Sequence, residues 1–178
     1  MIVLGFSRSN NFTGWLIRKA TGGKWNHVWI GYTDPVWGGQ WVTHAIADGV
    51  SIQKAELLKK NYDASECFQV LGLDMRQAMR ETRDYVNKPY DFKAVILNGL
   101  LLLLYRLTRV EWFNPIINHN KVSCSEFAAL ILQRANFKPV QGKEAELFPP
   151  DGEMGLFPVI SKHPENMKKI NFEGWLDM

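Results

Sequence analysis

The sequence predicts an α+β fold in which an antiparallel sheet packs against helices. Three observations carry this. Strand-like segments crowd into the first third of the chain, helix-like segments follow, and a hairpin turn signal joins two of the strands. An alternating βαβ order would instead imply a parallel sheet. No internal repeat, low-complexity tract or linker interrupts the 178 residues, so they read as one domain, with 153–178 set apart as a C-terminal extension.

The elements follow in order. Residues 1–6 are apolar and β-rich, a short strand. A helix is expected over 11–21, with Phe12, Trp15, Leu16 and Ala20 at helical spacing and Gly22-Gly23 ending it. Residues 26–33 give the clearest strand, rich in β-branched and aromatic side chains and stopped by Asp34-Pro35. A second strand covers 40–47, with Val42, His44 and Ile46 on one face and Trp41, Thr43 and Ala45 on the other. Asp48-Gly49 turns it into a return strand at 50–52. A short helix is expected over 54–61 and another strand over 67–73. Asp74 caps a helix running to Val86, before Lys88-Pro89. Ala94–Leu107 is an apolar helix, shorter than the ~20 residues a membrane span needs. It reads as a core helix or as a lipid-contact helix. Ser123 caps a last helix over 124–136. The tail carries Pro139, Pro149, Pro150, Pro158 and Pro164 and is expected to be mostly loop with one late strand.

Composition excludes several function classes. Twenty-one basic against 18 acidic residues leave a net charge of +3, with the basic residues scattered, which gives no footprint for nucleic acid. Gly22-Gly23-Lys24 lacks the spacing of a phosphate-binding loop. Two cysteines, Cys67 and Cys124, form no disulfide framework and read as free thiols. The first six residues lack the basic and long apolar regions of a signal peptide, so the expected location is cytoplasmic, or phage- or host-cell-associated.

Cys124 holds the strongest chemical position. Behind Ser123 it occupies a first helical turn, where free N–H groups and the helix dipole favour a thiolate and can stabilise an oxyanion. It also reads as a small buried core residue, a common setting for cysteine. A nucleophile needs a base, and four histidines are available. His27 stands at the start of the strongest strand and His44 inside the next. If those strands pair, the imidazoles meet on one face and His44 can fix the tautomer of His27. His119 and His163 lie in turn-like and proline-flanked segments and read as surface residues. A zinc site from His27, His44 and Cys124 is conceivable, but no ligand spacing calls for it, so no metal or other cofactor is assigned.

Certain motifs recur in a known order: Asn26-His27-Val28 with Ile30-Gly31, then His44-Ala45 with Gly49-Val50, then Tyr90-Asp91-Phe92, then Cys124-Ser125-Glu126-Phe127, then Phe148-Pro149-Pro150-Asp151. Over roughly residues 1–152 this order resembles the circularly permuted NlpC/P60 superfamily of papain-like enzymes. Within it, the order is most similar to the YiiX-like branch, related to lecithin:retinol acyltransferase-type enzymes. The resemblance implies Cys124 as nucleophile, His27 as base and His44 in the orienting position. Many members carry an acidic residue at that third position, and Asp48 is the fallback orienter. The implied function is a cysteine hydrolase or acyltransferase acting on a cell-wall peptide or a lipid-type amide or ester, with peripheral membrane contact through Ala94–Leu107. The alternative is an inactive binding or virion-associated module of the same fold.

Overall fold

A computed structural model describes residues 1–36, 38–110 and 120–178. Its frame is a six-stranded sheet in the order β4-β3-β2-β1-β5-β6, antiparallel throughout. The strands are β1 (Ile2–Arg8), β2 (His27–Thr33), β3 (Gln40–Ile46), β4 (Gly49–Lys54), β5 (Ala64–Val70) and β6 (Met167–Ile170). The helices are α1 (Phe12–Thr21), α2 (Glu56–Asn61), α3 (Met75–Glu81), α4 (Phe92–Thr108), α5 (Cys124–Arg134), α6 (Leu156–Ser161) and α7 (Phe172–Leu176).

The sheet is covered on both faces, which explains why β1 and β2 read as nearly continuous apolar runs. On one face Leu4, Phe6, Val28, Ile30, Ala45 and Phe68 meet Phe127, Ala128, Ile131 and Leu132 of α5, with α3 and α6 completing the cluster. On the other, Val3, Trp29, Val42 and Cys67 meet Leu58 of α2 and Phe172 and Trp175 of α7. Gly5 is required beneath this second cluster, since a Cβ there would lie 2.0 Å from the Trp29 indole. Cys67 and Cys124 are both free thiols, one in each cluster.

Local signals set several boundaries. The Asn11 side chain accepts from Gly14 N–H to cap α1, and Gly22 closes that helix with a φ of 68°. Asp74 caps α3 as expected, but α3 stops at Glu81 rather than running to Val86. Buried Thr82 turns its hydroxyl back onto the carbonyls of Ala78 and Met79, and the chain tightens into a 3-10 turn over Arg83–Tyr85.

The tail is the main departure from the sequence expectation. Beside the expected late strand, β6, it forms α6 and α7. The prolines permit this because of where they fall. Pro158 sits in the first turn of α6, where N–H groups need no intrahelical partner. The carbonyls of Pro149 and Pro150 accept from Leu156 and Phe157 N–H. β6 then pairs with β5, and α7 seats Trp175, 1% exposed, against Trp29 with ring centroids 5.5 Å apart. Residues beyond 152 are thus built into the core. Trp175→Ala is expected to cost about 3–5 kcal/mol, read as a lower urea midpoint at unchanged slope. An unchanged midpoint would show that α7 does not brace the sheet.

Candidate active site

The site forms where α5 begins and where β2 and β3 part. Ser123 caps α5 in a full capping box: its hydroxyl accepts from Glu126 N–H at 3.3 Å, and the Glu126 carboxylate accepts from Ser123 N–H at 3.1 Å. This fixes Cys124, only 2% exposed, as the first helical residue. Its sulfur meets the N–H groups of Val28, Ser125 and Cys124 itself. The Tyr90 hydroxyl donates to it at 3.9 Å. Tyr90 is held by a parallel bridge to Val122, and the next residue, Asp91, caps α4 by accepting from Ala94 N–H.

The β2–β3 ladder runs from Thr33–Gln40 to Ile30–Thr43. Beyond it a side-chain bond takes over: His27 Nε2 and His44 Nδ1 lie 2.8 Å apart, both rings buried. The expected meeting of the two imidazoles on one face is therefore formed. Tyr62, just after α2, stacks on His27 with centroids 5.0 Å apart and planes 9° from parallel. Cys124 and His27 make no direct hydrogen bond. With Nε2 committed to His44, Nδ1 is the His27 nitrogen left for proton transfer. His44 Nε2 is buried without a partner among the described residues. If His27 donates from Nε2, the orphan is the single N–H of His44, on Nε2, and His27 keeps its basic lone pair on Nδ1.

Burial sets the electrostatics. It pushes the Cys124 thiol up, against the pull of the surrounding N–H groups and the Tyr90 hydroxyl. The helix-start effect read from the sequence is present, but desolvation outweighs it. Burial, then the neighbouring His44, holds His27 well below the usual imidazole range, and burial alone brings His44 down to about 4. Tyr62 and Tyr90 are both raised by burial. The resting site therefore holds a thiol, two neutral imidazoles and two phenols, with no charged member.

Other residues fall as follows. Asp48 is exposed in the β3–β4 turn, and it is His44 that bonds to His27. His163 is half-exposed and paired with Glu165 at 2.8 Å. His119 lies outside the described residues. Three contributors were not singled out from the sequence. Tyr90 carried a signal, since it opens the Tyr-Asp-Phe motif. Tyr62 carried none. Asp151, in the Pro-Pro-Asp segment, accepts from the N–H groups of Lys24 and Trp25 at 2.6 and 3.0 Å and so fixes the loop that delivers His27.

This architecture has a solved counterpart, a crystal structure of yiiX from Escherichia coli O157:H7, described as a metalloprotein. It superposes with a TM-score of 0.54 at 16% sequence identity, covering 98% of this chain and 89% of that one. The two share a fold. No family model and no curated protein matches the sequence. At this identity the likeness to yiiX concerns the course of the backbone, and the chemistry rests on the residues described above.

Proposed function

We propose that the chain is a cysteine hydrolase or acyltransferase that cleaves an amide or ester through an acyl-thioester on Cys124. One observation carries the reading: a buried thiol at a capped helix start, ringed by N–H donors that include Val28, the residue next to His27, whose Nε2 lies 2.8 Å from His44 Nδ1.

Because the resting groups are neutral, proton transfer accompanies attack. His27 Nδ1 takes the thiol proton as sulfur bonds to the carbonyl carbon. The N–H groups around the start of α5 receive the developing oxyanion. The C–N or C–O bond breaks, and His27 returns the proton to the leaving amine or alcohol. Water, or a second alcohol or amine, then adds to the thioester by the same relay and frees the thiol. The substrate is a peptide-type amide or a lipid-type ester or amide.

Although yiiX is described as a metalloprotein, no three His, Cys, Asp or Glu side chains converge as a metal site would need among the described residues here. His27 and His44 also spend their facing nitrogens on each other. The mechanism routes no step through a metal.

Iodoacetamide labelling, mapped by peptide mass across pH, tests the pair. Cys67, lifted to about 12 by burial, should stay inert near neutrality. Cys124 should label faster than Cys67 and slow roughly tenfold or more in His27→Ala. Equal inertness of both thiols, indifferent to His27, would put the binding-module reading ahead.

A further inference from the structure

His27, His44 and Ser51 share one face of the sheet. On β2, Val28 and Ile30 belong to the cluster with α5, so His27 turns the other way, with Trp29. On β3, Ala45 belongs to the α5 cluster and Val42 to the cluster with α2 and α7, which puts His44 on the side of Val42. On β4, Val50 faces α5 and Ser51 faces the opposite side. Ser51 is the residue directly across from His44 in the β3–β4 ladder, and opposite residues of an antiparallel pair lie side by side on one face.

Each of these two neighbours carries an orphan atom. His44 Nε2 and Ser51 Oγ are both buried and find no partner among the described residues. The other buried side-chain atoms there without a partner are Arg8 Nε, Trp25 Nε1, Gln40 Nε2 and Trp175 Nε1, all of which only donate. Within this set Ser51 Oγ is the one atom able to accept from His44 Nε2–H. Buried polar atoms are as a rule paired, by water where protein does not reach.

We infer that Ser51 is a positioning residue for the His27–His44 pair: its hydroxyl receives the His44 Nε2–H through one bridging water. Such a bridge does nearly the work of a direct bond. Its consequence for catalysis rests on the cysteine hydrolase or acyltransferase reading, in which His27 needs a bare Nδ1. An imidazole escapes an unpaired N–H by carrying its proton on the other ring nitrogen. If His44 did so, its Nδ1–H would donate to His27 Nε2 across the 2.8 Å contact, and His27 would carry its own proton on Nδ1. No lone pair would then be left to take the thiol proton. An acceptor for His44 Nε2–H removes the reason for that escape. All donors then point one way, from His27 to His44 to Ser51, and each bond in such a chain strengthens the next.

Imidazole nitrogen NMR on the full chain reads the tautomers with no substrate present. It is recorded near neutral pH, where burial keeps both rings uncharged, with signals assigned against His44→Asn. In wild type, both rings should be protonated at Nε2 and bare at Nδ1. In Ser51→Ala, both protons should move to Nδ1. Ser51→Thr keeps the hydroxyl and suits a strand, so it should restore the wild-type pattern. Ser65→Ala removes a hydroxyl already bonded to Ser7 and should change neither ring. Acylation by an activated ester should slow roughly fivefold or more in Ser51→Ala and recover in Ser51→Thr. Identical tautomers in wild type and Ser51→Ala, a Ser51→Thr spectrum like that of Ser51→Ala, or an equal shift in Ser65→Ala overturns the role of Ser51. Tautomers that shift as stated in a chain whose Cys124 never acylates would leave that role standing and sink the catalytic reading.

Discussion

Cys124→Ala is expected to abolish covalent acylation by an activated ester, read as loss of the acyl adduct in intact mass. His27→Ala should slow acylation by roughly 10²–10⁴-fold, the range of a positioned general base. His44→Ala should cost less. His44 acts through one hydrogen bond of 2.8 Å, and the Tyr62 stack still holds the His27 ring when that bond is lost. His44→Asn separates positioning from bulk. An asparagine carbonyl can accept from His27 Nε2 much as the imidazole nitrogen does, so activity should return toward wild type, whereas alanine leaves that N–H buried and unpaired. The double variant His27→Ala/His44→Ala should be no worse than His27→Ala alone, because both changes remove one relay. Equal losses for the two single alanine variants, with the fold intact, would mean that His44 touches the substrate. A persistent adduct in Cys124→Ala would end the assignment of the nucleophile.

Short-range signals were the ones the sequence displayed well. Asp74 and Ser123 cap helices through their own side chains, and β2 to β4 follow from residue type and a turn. The His27–His44 meeting was also legible, because strand alternation places both on one face once β2 and β3 pair. What could not be read depends on distant packing. The tail looked loop-like because prolines were counted without their positions. Pro158 in the first turn of α6 shows that position decides. The Cys124 thiol was expected low from its helix start. It is high because α5 drives that helix start into the sheet, and burial is a property of the whole fold. Tyr62 reaches His27 only through the turn after α2. Ala94–Leu107 read as core or lipid-contact. The structure makes it apolar on both sides, one facing a groove against α1 and one facing outward.

The buried imidazoles should also make the protein labile to mild acid. An unfolded histidine titrates near 6.5, while burial brings His44 down to about 4 in the fold and holds His27 well below its ordinary value. Between those values the unfolded chain binds more protons than the native one, so stability rises with pH. The full contribution is present above about 6.5 and is lost as pH falls through 6.5 toward about 4. For His44 alone the span corresponds to roughly 3 kcal/mol, and His27 adds in the same direction. Carboxylates titrate nearby, so a single pH curve does not isolate the effect. His44→Asn does, since it keeps every carboxylate and the hydrogen bond to His27 while removing one titrating ring. Its urea midpoint should fall much less between neutral pH and about pH 4 than that of wild type. Parallel pH curves for the two proteins would mean that His44 takes up its proton as readily in the fold as in the unfolded chain. Once it did so, the imidazolium could not accept from His27 Nε2–H, and His27 could not act as base from Nδ1. The acid stability curve therefore tests the same hydrogen bond as the acylation rates, without any substrate.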